Sequence, residues 1–124
     1  METQPIIDPL AIQSLRDLSP NDNDAFLREM IGIFLTDTPL QIAELEKSLK
    51  SSDRAVFMRA AHSIKGSSSN LGAGALRDAT ERAENDSSAT PIPQLAPLVA
   101  EIEAEFARAR AELERIIAAG PNGQ

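Results

Sequence analysis

The chain contains a single histidine, His62, and the residues that follow it could bring an anion to its side chain. An α-helix turns by about 100° per residue, which places His62 about 150° from the middle of an apolar stripe on the same helix. The imidazole is therefore predicted to face solvent. Lys65 and Gly66 lie one turn further on and Ser69 lies two turns on, all on the same outward face. The stripe consists of Phe57, Ala60, Ala61, Ile64, Ser68 and Leu71.

Gly66 is the unusual member of this group, because a glycine inside a helix costs about 1 kcal/mol relative to alanine. It faces outward, so close packing in a core does not explain it. A missing side chain one turn from the imidazole would let a bulky group or another protein's backbone approach the ring. Met58 and Arg59, one turn before His62, share this face and are predicted to contact such a partner.

An exposed histidine is by itself an ordinary polar surface residue, so the neighbours of His62 carry the functional argument. Much of a histidine population is uncharged near neutral pH, and the uncharged imidazole is nucleophilic. The cation of Lys65 would attract an anion, and the open surface at Gly66 would admit it. These residues together predict a place where a phosphoryl group could be received.

The motif around His62 resembles the H-x-x-K-G-x-S-x-x-x-G-A signature of histidine-containing phosphotransfer (HPt) domains, which act in two-component phosphorelays. The matching residues are His62, Lys65, Gly66, Ser68, Gly72 and Ala73. The resemblance extends over about residues 8–117. The chain departs from the family pattern at 85–90, where the family often has a glycine-containing loop, and at Ala83, where a larger residue is common.

The resemblance implies a phosphocarrier with a phosphohistidine intermediate rather than an independent ATP-using kinase. His62 would accept a phosphoryl group from an aspartate of a response-regulator receiver domain and pass it to another response regulator. Lys65 would stabilise the phosphoryl oxygens, Gly66 would leave room for the receiver, and Ser69 would lie close enough to hydrogen-bond the phosphate. The expected partners are receiver domains and a hybrid sensor histidine kinase. The chain would hold no metal or other cofactor, since the receiver would supply Mg²⁺.

Two other functions stay open at this point. One is the phosphoacceptor domain of a chemotaxis-type kinase, which shares the His-x-x-Lys-Gly core but is phosphorylated by an ATP-using kinase domain. The other is a non-catalytic helical adaptor that docks receiver domains, although an adaptor has no need of the intact histidine and lysine. A serine hydrolase at residues 67–69 is excluded, because no strand-turn-helix context or second base accompanies these serines.

The amino-acid composition excludes several other classes of function. There is no cysteine and only one histidine, which excludes a disulfide framework and a thiolate or multi-histidine zinc site. A net charge of −7 without clustered Lys and Arg argues against a nucleic-acid partner. No signal peptide and no apolar run of about 18 residues is found. We therefore expect a cytoplasmic protein that neither binds nucleic acid nor enters a membrane. We also expect it to be a monomer.

The apolar spacing predicts an all-α fold, an antiparallel up-and-down four-helix bundle with one or two additional N-terminal helices. The bundle is expected over residues 8–118, between tails at 1–7 and 119–124. Apolar residues in 24–37 cover about 200° of the helix circumference, so this helix is either buried from two sides or partly open to a partner. The predicted helices span 8–18, 24–37, 39–49, 53–70, 73–84 and 94–118.

Overall fold

The computed structural model describes residues 4–121, which form an all-α fold. A short 3₁₀ helix, Ile92–Leu95, precedes the last α-helix. The five α-helices are α1 (Pro9–Leu18), α2 (Ala25–Ser51), α3 (Arg54–Asn70), α4 (Gly74–Asp86) and α5 (Ala96–Ala119).

Helices α2 to α5 form the predicted four-helix bundle. Each packs against the next one in the chain, and α5 returns to α2, so the four helices enclose one core. Short connections make consecutive helices antiparallel neighbours. The additional N-terminal helix, α1, packs against α2. None of the helices within residues 4–121 is both long enough and apolar enough to cross a membrane.

The starts of α1 and α3 are each capped by an aspartate side chain. The Asp8 carboxylate accepts a hydrogen bond from the Leu10 backbone N–H at 2.9 Å, with Pro9 in the first turn. At α3, the Asp53 carboxylate accepts from the Val56 N–H at 3.1 Å. Each carboxylate satisfies one of the N–H groups that a helix start leaves without a partner.

The prediction of two separate helices, 24–37 and 39–49, is wrong. A single helix of 27 residues, α2, runs through Pro39. Proline in a helix interior removes one backbone hydrogen bond and costs about 3 kcal/mol. A continuous buried stripe on both sides of Pro39 offsets this cost, since it packs into the bundle core only if the helix continues. The stripe consists of Leu27, Ile31, Phe34, Thr38, Ile42, Leu45 and Ser48.

The chain joins the core one residue before the predicted domain boundary at residue 8. Ile7, assigned to a tail from the sequence, is 5% exposed and belongs to the hydrophobic core. The backbone N–H of Asp8 donates to the carbonyl of Gly72 at 2.9 Å, which fixes this segment against the turn between α3 and α4. At the other end α5 finishes at Ala119. Residues 1–3 and 122–124 of the predicted tails lie outside the described residues.

Gly72 is required where α1 crosses this turn. Its φ of +73° lies in the left-handed region, and an added Cβ would lie 2.7 Å from the Ala11 Cβ. Only glycine combines this backbone conformation with so close an approach. The turn therefore fixes both the end of α3 and the position of α1.

Candidate functional site

Helix α3 presents His62 to solvent by burying its opposite face. Its buried residues are Phe57, Ala60, Ala61, Ile64 and Ser68, in agreement with the apolar stripe predicted from the sequence. The His62 side chain is 72% exposed. The imidazole therefore lies outside the core and is accessible to another molecule.

Glu84, on α4, holds one nitrogen of the ring. Its Oε2 lies 3.1 Å from Nδ1 of His62, and its side chain is 19% exposed. An ionised carboxylate can only accept, so this contact favours the tautomer that carries the proton on Nδ1. In that tautomer Nε2 keeps its lone pair, and Nε2 is the ring nitrogen free to act as a nucleophile.

The same carboxylate pairs with Lys65. The Lys65 Nζ lies 2.8 Å from Glu84 Oε1, and the lysine side chain is 28% exposed. Burial by itself raises the pKa of Glu84, but hydrogen bonds and charges from Lys65 and His62 outweigh it, so the pKa lies below its ordinary value. Glu84 is therefore ionised at neutral pH.

Sequence reasoning missed Glu84, although it placed 84 at the end of a predicted helix. Its position along α4 gives no sign of a partner, because α4 carries three other glutamate or aspartate side chains, Asp78, Glu81 and Asp86. Asp78 and Glu81 pair with Arg77 on their own helix. Only the packing of α4 against α3 brings Glu84, and not these residues, to the imidazole.

The other predicted site residues lie along α3 with different degrees of exposure. Gly66 is exposed, and an added Cβ would meet no atom within 4 Å, so this surface is open. The exposed Ser69 hydroxyl donates to the Lys65 carbonyl at 2.9 Å. Met58 is half-buried and Arg59 is exposed. Within residues 4–121 no three His, Cys, Asp or Glu side chains form a group that could hold a metal ion.

An exposed apolar surface on α2 adjoins this face of α3. It consists of Gly32, Ile33, Thr36 and Leu40, hereafter the α2 patch, and it is bordered by Glu29 and Asp37. Ile33 is 55% exposed and Leu40 is 62% exposed. Ile33 also lines a shallow groove with Ser67 and Asn70 of α3. Of the two alternatives for this helix, the structure shows the second, since one apolar stripe is buried and another apolar edge is open.

Comparisons with known proteins agree with this fold. The profile of the Hpt domain family matches residues 29–118. The chain is similar to the structure of histidine-containing phosphotransfer protein B (HptB) from Pseudomonas aeruginosa PAO1. The two have a TM-score of 0.81 and 25% identity, with 91% of this chain and 95% of that chain covered. None of the curated proteins matches the chain in sequence.

Two more distant structures share the fold. The histidine-containing phosphotransfer protein ZmHP2 from maize has a TM-score of 0.81 at 21% identity, covering 91% of this chain and 83% of that one. The HPT domain of a hybrid histidine kinase from Shewanella has a TM-score of 0.69 at 18% identity, covering 86% and 92%. At these identities the similarity shows the architecture alone.

The fold and the site together define the class of this protein. It is a helical bundle that presents one exposed histidine beside a lysine, as helical phosphotransfer proteins do. The family profile covers most of the chain, and the chain belongs to the Hpt domain family. Its function is histidine phosphotransfer in a two-component phosphorelay. Hpt domains interact with receiver domains and hybrid kinases in such relays.

Proposed function

We propose that His62 is the phosphoacceptor and that Nε2 is the attacking atom. The observation that supports this most directly is the contact of Nδ1 with the Glu84 carboxylate, which leaves Nε2 as the ring nitrogen with a free lone pair. The 72% exposure of the side chain allows a second protein to reach that atom.

The proposed step transfers the phosphoryl group from an aspartyl phosphate of a receiver domain. The Nε2 lone pair attacks phosphorus, the P–O bond to the aspartyl oxygen breaks, and the aspartate leaves with that electron pair as a carboxylate. The Nδ1 proton stays in its hydrogen bond to Glu84. Transfer to a second response regulator reverses these bond changes. The receiver would supply the Mg²⁺, and Lys65 and the Ser69 hydroxyl would contact the phosphoryl oxygens.

The receiver would dock across α3 and α2. Gly66 offers an open surface on the α2 side of His62, and the apolar α2 patch continues it. Met58 and Arg59 extend the same face toward the start of α3. Exposed apolar surface bordered by polar residues is typical of protein interaction sites. The cytoplasmic location and the monomeric state remain predictions.

The test is to incubate the protein with phosphorylated receiver domains and, separately, with an autophosphorylating kinase and ATP, and to follow acid-labile phosphate. We expect labelling by a receiver, and none in His62→Gln. Labelling by the kinase alone would indicate a chemotaxis-type phosphoacceptor domain. Receiver binding without any labelling would indicate an adaptor.

Lys65→Ala separates the lysine from the histidine in the same assay. Loss of its cation should slow transfer by about tenfold, while the fold, measured by thermal unfolding, is kept because Lys65 lies outside the core. An unchanged transfer rate would remove Lys65 from the mechanism.

A further inference from the structure

The Glu84 carboxylate binds two groups of the proposed site at once. One oxygen faces His62 Nδ1 at 3.1 Å, and the other faces Lys65 Nζ at 2.8 Å. Both contacts join α3 to α4 on the outer side of the bundle. The ammonium of Lys65 is thus already paired with an anion before any phosphoryl group arrives.

We propose that Glu84 competes with the phosphoryl group for Lys65 and thereby keeps the phosphohistidine ready to donate. This inference depends on the proposed role of His62. When Nε2 carries a phosphoryl group, Lys65 must leave the Glu84 carboxylate, or be shared with it, in order to contact the phosphoryl oxygens. Lys65 therefore stabilises the phosphorylated state less than an unpaired lysine would, because its ion pair with Glu84 must be broken or weakened first.

The environment of the pair makes this competition effective. Exposed ion pairs contribute little, because water solvates both charges. Glu84 at 19% and Lys65 at 28% exposure are largely withdrawn from solvent, so the attraction between them is screened less. The charged groups that face the Glu84 carboxylate are His62 and Lys65, both from α3.

A phosphocarrier has a physical reason to contain such a competitor. The carrier must take the phosphoryl group from one aspartate and give it to another, so a strongly stabilised phosphohistidine would retain it. A lysine with no other partner would favour retention. A carboxylate that draws the lysine back favours donation, since the pair re-forms as the N–P bond breaks and the new P–O bond forms.

Glu84→Gln isolates the charge from the hydrogen bond. The amide oxygen can still accept from Nδ1, but the side chain no longer attracts Lys65 electrostatically. The equilibrium between phosphorylated receiver and phosphorylated His62 should therefore shift toward His62 by about tenfold. Glu81→Gln is the matched control, because Glu81 lies one turn earlier on α4, is 47% exposed and lies near Arg77.

The decisive comparison is a double-mutant cycle on the full chain, with Glu84→Gln, Lys65→Ala and the double variant. The quantity measured is the equilibrium ratio of phosphorylated His62 to phosphorylated receiver, with one receiver domain. The shift caused by Glu84→Gln should fall to less than about twofold in the Lys65→Ala background. Glu84→Met, of similar length, removes the charge and the oxygen acceptor together, and its shift should likewise fall in the Lys65→Ala background.

Additional measurements distinguish a local effect from a structural one. The ¹⁵N signals of the His62 ring in Glu84→Gln should still report a proton on Nδ1, and thermal unfolding should match the Glu81→Gln control. No shift, a shift toward the receiver, or an equal shift in both Lys65 backgrounds would overturn the competition. Failure of the wild-type protein to be labelled at all would instead overturn the role of His62.

Discussion

At the scale of single side chains, three residues from two helices are in contact at the proposed site. Within α3, the helical period alone places His62, Lys65 and Gly66 on one face. The third chemical group, Glu84, comes from α4 and fixes the orientation of the imidazole by its contact with Nδ1. Gly66 contributes by the absence of a side chain, which makes a direct test possible.

Gly66→Leu should weaken receiver docking while leaving the protein at least as stable as before. Nothing lies within 4 Å of an added Cβ, and leucine has a higher helix propensity than glycine, so the free energy of unfolding should rise by about 0.5 kcal/mol. The added side chain would nevertheless occupy the surface that the receiver approaches. Titration calorimetry with a receiver and urea denaturation measure the two effects.

Gly66→Ala is the control, since it raises helix propensity with little added bulk. It should keep most of the receiver affinity. Undiminished docking by Gly66→Leu would contradict the view that this glycine provides access.

At the scale of the helices, α2 combines a structural role with the proposed docking surface. Its buried stripe holds the bundle together, and its outer edge carries the exposed Ile33 and Leu40. Pro39 lies inside this helix and weakens it locally, because position 39 has no N–H to donate to the carbonyl four residues earlier.

Pro39→Ala should stabilise the protein. The alanine N–H can complete the helical hydrogen-bond ladder, and alanine has the highest helix propensity, so a gain of about 1–2 kcal/mol is expected after allowing for the greater entropy of the unfolded chain. The midpoint of urea denaturation measures it. Pro97→Ala is the matched control, since Pro97 lies in the first turn of α5, where its missing N–H is no loss. Equal effects at both positions would show that the α2 ladder is not the cause.

Ile33→Asp should weaken receiver binding by about tenfold, which corresponds to about 1.4 kcal/mol. A charge in the α2 patch would have to be desolvated when an apolar partner surface covers it. Leu10→Asp provides a control of the same chemical change, because Leu10 is 75% exposed but lies on α1, away from the α2 patch. If both variants bind a receiver equally well, the receiver docks elsewhere.

At the scale of the whole molecule, the acidic chain brings like charges together between helices. Glu46 of α2 faces Glu103 of α5. A hydrogen bond with Glu46, partial burial and the Glu46 charge raise the pKa of Glu103 above its ordinary value of 4.5. Because the pKa of Glu103 is raised in the folded state, protonated Glu103 contributes stability below about pH 4.5. This contribution is lost as the pH rises through the raised pKa.

Glu103→Gln should therefore stabilise the protein at about pH 7 relative to wild type and give no gain at about pH 4. The amide cannot ionise, so the repulsion from Glu46 at neutral pH disappears. Because the pair is partly solvated, the gain should be about 0.5 kcal/mol or less. Urea denaturation at both pH values measures it, with the exposed Glu29→Gln as the control. A gain of equal size at both pH values would exclude ionisation of Glu103 as the cause.

The sequence alone determined the features that depend on short stretches of chain. The helical period placed His62 opposite the buried stripe of α3, and the helix starts predicted at residues 8 and 53 are the caps of α1 and α3 in the structure. Short connections predicted the antiparallel bundle. These features are local, because a helix fixes the relative directions of its own side chains and its own unpaired N–H groups.

The tertiary structure decided what depends on packing between helices. Only the packed bundle determines that α2 continues through Pro39. The free-energy cost of the missing hydrogen bond is offset by the burial of α2 side chains against other helices. Only the bundle leaves Ile33 exposed and brings Glu84 to both His62 and Lys65. The rotation and depth of α4 against α3 result from many small packing contributions summed over the core, and no periodicity within one helix contains that information.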